Sequence, residues 1–77
     1  MSPGQVMFRA VCARLGLDPD ARGTLTKVVD EGRIRNLFIC HSQISKWASG
    51  QAHPSRRKLR QFEEAFGFRL VTTWEVA

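Results

Sequence analysis

Long hydrophobic runs are missing from this chain. The longest are stretches such as Leu37-Phe38-Ile39-Cys40, far short of the roughly 20 apolar residues a membrane-spanning helix needs. An export signature is missing too. Met1-Ser2-Pro3-Gly4 carries neither the basic start nor the apolar core of a signal peptide, so a cytoplasmic protein is expected. Cysteine is scarce: Cys12 and Cys40 are the only two. In a reducing cytoplasm both should be thiols, with Cys12 in the core. Together with His41 and His53 they show no Cys-x-x-Cys or matched histidine pair, so neither a metal site nor a cofactor is expected. A cysteine or serine nucleophile working with histidine would need a buried base, an orienting acid and a pocket. None of these is legible, which argues against an enzyme. Length points the same way. Its 77 residues fit a single domain, 1–77, burying only about 60–65% of its unfolded surface and suggesting no deep substrate pocket.

The absence that carries most information is of acid. The chain has a net charge of +5 and a pI near 10.3, and its charge is unevenly spread. Between Gly32 and Phe62 stand Arg33, Arg35, Lys46, Arg56, Arg57, Lys58 and Arg60, with no Asp or Glu among them. All seven acidic residues, and five basic ones, lie outside that stretch. A solvated basic face is the bland explanation. Charge gathered in one segment is also the electrostatic footprint of a nucleic-acid binder.

Periodicity divides the chain into short elements. Met7, Phe8, Val11 and Leu15 recur at helical spacing, predicting a helix over 5–15 stopped by Gly16. Residues 17–23 read as a loop. Thr24 is expected to cap a helix over 25–31 that buries Leu25, Val28 and Val29 and ends at Gly32, although Thr and Val also suit a strand. Residues 33–39 are ambiguous, with Ile34, Leu37 and Phe38 fitting a helical stripe. A helix over 41–49 should bury Ile44, Trp47 and Ala48 and end at Gly50. Ser55 should cap another over 56–66, whose inner face is Leu59, Phe62, Ala65 and Phe66, with Gly67 as its stop. Residues 68–76 alternate, with Phe68, Leu70, Thr72, Trp74 and Val76 on one side, which predicts a strand. The expected fold class is mostly α: four or five helices and a C-terminal β-strand.

Ser42-Gln43-Ile44-Ser45-Lys46-Trp47-Ala48-Ser49-Gly50, followed by Pro54-Ser55 and then Leu59-Arg60-Gln61-Phe62-Glu63-Glu64-Ala65-Phe66-Gly67, resembles the Cro/phage-repressor (XRE-type) helix-turn-helix family over residues 40–70. The resemblance implies a double-stranded DNA-binding transcriptional regulator, a repressor of bacterial, phage or mobile-element origin. It places base-reading positions on His41, Ser42 and Lys46, with Gln43 close by. The residue chemistry agrees. A recognition helix needs an apolar side to seat it and short polar groups opposite to reach base edges. At about 100° per residue, His41, Ser42, Ser45, Lys46 and Ser49 cluster away from Ile44 and Trp47. A polar helix face is ordinarily just solvated, but an ordinary one mixes charge signs, and this one has no carboxylate. Upstream the chain departs from the family. Ile34 and Phe38 stand where a small residue and a turn glycine are usual. Either the turn differs, or Gly32 is the equivalent glycine with extra residues intervening.

The next helix places Arg56, Arg57 and Lys58 in its first turn and Glu63 and Glu64 near its end. Each charge misplaced against the helix dipole costs roughly 0.3–1 kcal/mol at low salt. A phosphate at that N-terminus would relieve the conflict, which makes all three basic residues phosphate-contact candidates, with Ser49 and Gln51 flanking. A lone strand leaves both edges unpaired. The expected solution is a homodimer joined antiparallel through Phe68, Leu70, Thr72 and Trp74, its recognition helices about 34 Å apart. A local hairpin with residues 25–29 would instead leave a monomer. Some relatives of the resembled family are antitoxins, so a protein partner on the same scaffold is the alternative to DNA.

Overall fold

The computed structural model describes residues 2–69, which form four helices: α1 (Pro3–Leu15), α2 (Thr24–Ile34), α3 (His41–Ser49) and α4 (Arg56–Phe66). The first begins at a capping box. Ser2 accepts from the Gln5 N–H through its hydroxyl, and the Gln5 side chain accepts from the Ser2 N–H at 2.9 Å. Pro3 occupies the first helical position, where its missing N–H costs nothing. These signals start α1 two residues earlier than periodicity alone suggests.

The second helix departs from expectation at both ends. Gly23 is its N-cap, and Thr24 makes no cap. Thr24 is buried instead, and its hydroxyl donates to the Asp18 carbonyl, tying the 17–23 loop to the helix. Gly32 does not end the helix but lies buried inside it. The stop is Asn36, the one non-glycine residue among the described residues with a left-handed φ, 64°. Asn36 N–H donates to the Arg33 carbonyl and Leu37 N–H to the Gly32 carbonyl, at 3.0 and 2.7 Å. This is a Schellman closure in which asparagine takes the place of the usual glycine. Residues 25–29 are helical, so they offer no strand for a hairpin.

Residues 35–40 then link α2 to α3. Within them Leu37 and Ile39 are buried while Phe38 and Cys40 are exposed. The expected stripe of Ile34, Leu37 and Phe38 is therefore corrected: only Leu37 goes inward, because the chain leaves the helix before Phe38. α3 and α4 have the expected bounds and stops, with Gly50 and Gly67 both left-handed. The expected strand 68–76 lies outside the described residues from Leu70 onward. Phe68 is half-buried against the core of its own chain.

The core joins Met7, Phe8, Val11 and Cys12 of α1 with Val28 and Val29 of α2, Leu37 and Ile39 of the link, Ile44 and Trp47 of α3, and Leu59, Phe62 and Phe66 of α4. Trp47 meets Phe62 edge to face at 6.0 Å, and Phe62 stacks on Phe66 at 5.9 Å. The start of α1 closes over the backbone and Cβ of Trp47. A Cβ at Gly4 would sit 3.0 Å from both the Cβ and the carbonyl oxygen of Trp47. Gly4→Ala should therefore lower unfolding free energy by about 1–3 kcal/mol through overpacking. The gain in helix propensity, at most about 1 kcal/mol, works the other way. Urea denaturation checks the sign: unchanged or increased stability would mean that α1 and α3 do not meet this closely.

Candidate nucleic-acid interface

Burial sorts the residues of α3 by angle. Ile44 and Trp47 are sealed inside, Ser45 and Ala48 are half-buried, and His41, Ser42, Gln43, Lys46 and Ser49 are exposed. At about 100° per residue, Ser42, Lys46 and Ser49 share the centre of the outer face. Gln43 lies on the flank toward α4, and His41 and Ser45 lie on the opposite flank. The Ser49 hydroxyl donates to the Lys46 carbonyl at 3.2 Å, which leaves its oxygen able only to accept from a ligand.

Between α3 and α4 runs an open groove of about 560 Å³, lined by Ser42, Gln43, Lys46, His53, Ser55 and Lys58 among others. No carboxylate is among the residues lining it. The structure thus brings three of the five base-reading candidates together with Lys58, whereas His41 and Ser45 stand outside the groove. Arg56, Arg57 and Gln51 are exposed on the surface. Ser55 caps α4 by accepting from the Lys58 N–H at 3.2 Å. A helix's first turn leaves further N–H groups without helical acceptors, so this end combines backbone donors with basic side chains.

Cys40 and His53 are among the groove-lining residues that the sequence does not mark as contacts. His53 lies in the turn before Pro54 and gave no signal beyond that turn. Cys40 is the N-cap of α3 yet makes no side-chain cap bond. Its Sγ lies 3.5 Å from the Ser42 hydroxyl. The hydroxyl beside it, the largest influence, holds the thiol below its usual pKa. Burial pushes Cys12 the other way, up to about 11. Two basic residues at the far end of α4 are used internally. Arg35 pairs with Glu31 at 2.9 Å and lies over the Phe66 ring at 4.6 Å. Arg14 donates to the Phe66 carbonyl at 3.1 Å. Among the described residues no cluster of His, Cys, Asp and Glu suits a metal ion, and no helix is long and apolar enough to cross a membrane.

Compared with family models, curated proteins and solved structures, the chain matches none.

The two thiols should separate cleanly in solution. At pH 8, iodoacetamide should label Cys40 at once and leave Cys12 unmodified until denaturant is added, because thiolate fraction and access both favour Cys40. Mass spectrometry of digested protein reads the sites. Equal labelling in native buffer would contradict the buried placement of Cys12.

Proposed function

We propose that this protein binds double-stranded DNA in a sequence-dependent way through α3 and acts as a transcriptional repressor. One observation carries the proposal: the exposed face of α3 and the groove beside it bear polar and basic side chains and no carboxylate, and lead directly to the basic first turn of α4. The residue string shared with Cro/phage-repressor proteins supports the same reading. In it, Ser42, Gln43 and Lys46 approach base edges from the major groove, with His41 and Ser45 at the margin of the contact. Arg56, Arg57 and Lys58 meet the phosphate backbone, joined by Ser49 and Gln51. The bacterial, phage or mobile-element origin and the homodimer belong to the proposal as well.

Selection of bound duplexes from a random pool tests it. A preferred sequence should emerge, bound at least 10³-fold more tightly than bulk DNA at physiological salt. Lys46→Ala or Ser42→Ala should then lose about 1–3 kcal/mol at that sequence while little affecting bulk DNA. Arg57→Ala should weaken all duplexes alike and flatten the salt slope by about one unit. Enrichment of no sequence, or binding without salt dependence, sinks the proposal and leaves a protein partner as the alternative.

Assembly has its own test. The full chain should sediment as a dimer and a chain ending at Arg69 as a monomer. A full chain that stays monomeric at high concentration, or a shortened one that still dimerises, rules out pairing through residues 70–77.

A further inference from the structure

Two large apolar side chains stand exposed among the described residues, Ile34 at 72% and Phe38 at 73%. Both lie within four residues of the start of the link between α2 and α3, and neither is needed by the core. Burial alternates along the link: Leu37 in, Phe38 out, Ile39 in, Cys40 out. In an extended run, alternate side chains leave on the same side, about 7 Å apart. The alternation puts Phe38 outward with Cys40, which lines the groove with Ser42 and Lys46. Phe38 precedes the N-cap of α3 by two residues, at the end that a recognition helix presents to bases.

We infer that Phe38 makes an apolar contact with a thymine methyl group at the edge of the DNA site, so that the link, and not α3 alone, sets part of the sequence preference. The inference rests on the DNA-binding reading above. Charge selects this occupant. From Gly32 to Phe62 the chain has no carboxylate; Arg33, just before the link, and Lys46, in the last turn of α3, are both exposed. A second copy seated on Phe38 across a two-fold axis would bring these like-charged surfaces together. A polyanion meets them with the opposite sign. Within the major groove the thymine 5-methyl is the apolar feature available to such a ring.

Thymine can be replaced by deoxyuridine, which lacks only that methyl. In the duplex obtained by selection, each flanking thymine is replaced in turn, and binding is followed by fluorescence anisotropy for the unaltered protein, Phe38→Ala and Phe38→Leu. One replacement should weaken the unaltered protein about fourfold, the worth of one buried methyl group. The same replacement should leave Phe38→Ala unaffected, with Phe38→Leu in between. Phe38 is exposed, so both variants should keep full helical circular dichroism. Equal losses in the unaltered protein and Phe38→Ala overturn the inference, as does a selected site without thymine in its flanks. A Phe38→Ala chain that falls from dimer to monomer in sedimentation, with equal loss on every duplex, overturns it in favour of a second copy. If no duplex is preferred at all, the DNA-binding proposal itself has failed, which is a separate result.

Discussion

The position of α3 depends on how Trp47 is held. One side of the indole meets Phe62, and behind it Phe66, in an aromatic run that joins α3 to α4. The backbone and Cβ of Trp47 are closed over by α1 at Gly4, where no side chain intervenes. Aromatic pairs of this geometry contribute about 0.5–1.5 kcal/mol each beyond the area they bury. Their larger effect is directional. With Trp47 and Ile44 sealed inside, the rotation of α3 about its own axis is fixed, and the polar residues have only one way to face. Gln5 is also drawn to this corner. A Cβ at Gly50 would lie 3.2 Å from its side chain, so the start of α1 abuts the end of α3 at two points.

The basic residues of the acid-free segment divide into two groups by what the fold asks of them. Arg35 is committed: it pairs with Glu31, accompanies the closure of α2 and covers Phe66. That contact fastens the α2–α3 link to the far end of α4, so Arg35 has a structural role in the fold. Arg33, Lys46, Arg56, Arg57 and Arg60 stand exposed. The charge gathered in the sequence is therefore largely surface charge, and most of it lies on α3 and the first half of α4.

How much was legible in the sequence follows from where local chemistry is unambiguous. α3 and α4 were readable to the residue because Gly50, Ser55 and Gly67 punctuate them with side chains suited to one conformation each. α2 was not, because two of its signals have other uses. Gly32 looks like a stop, yet Asn36 reaches the left-handed region instead, and its own turn supplies the bonds that make this stable. Thr24 looks like a cap, but its hydroxyl is spent on the Asp18 carbonyl. Ile34 and Phe38 have the periodicity of core residues. Only the path of the link, which leaves the helical axis at Asn36, decides that Leu37 and Ile39 fill that place. Of the candidate site, the outer face of α3 was legible from angle alone. The groove was not, since the approach of His53 and Lys58 to Lys46 depends on how α4 packs behind Trp47.

The charge reversal along α4 is half explained by the fold itself. Acids near a helix C-terminus are unfavourable because that end already carries partial negative charge. Here the Arg14 guanidinium, arriving from α1, donates to the Phe66 carbonyl, and Arg35 lies over the same residue. The Arg14 cation thus offsets part of the negative charge at the end that Glu63 and Glu64 burden. The opposite end has no such relief within its helix: the first turn of α4 holds no acid, and the Ser55 hydroxyl offers only a neutral acceptor to one N–H. A chain that compensates one terminus from a distant helix, yet concentrates Arg56, Arg57 and Lys58 at the other, keeps positive potential where α4 meets the groove. Positive potential held against the helix dipole is stabilised when an anion arrives, and the groove beside the outer face of α3 is where such an anion would be met.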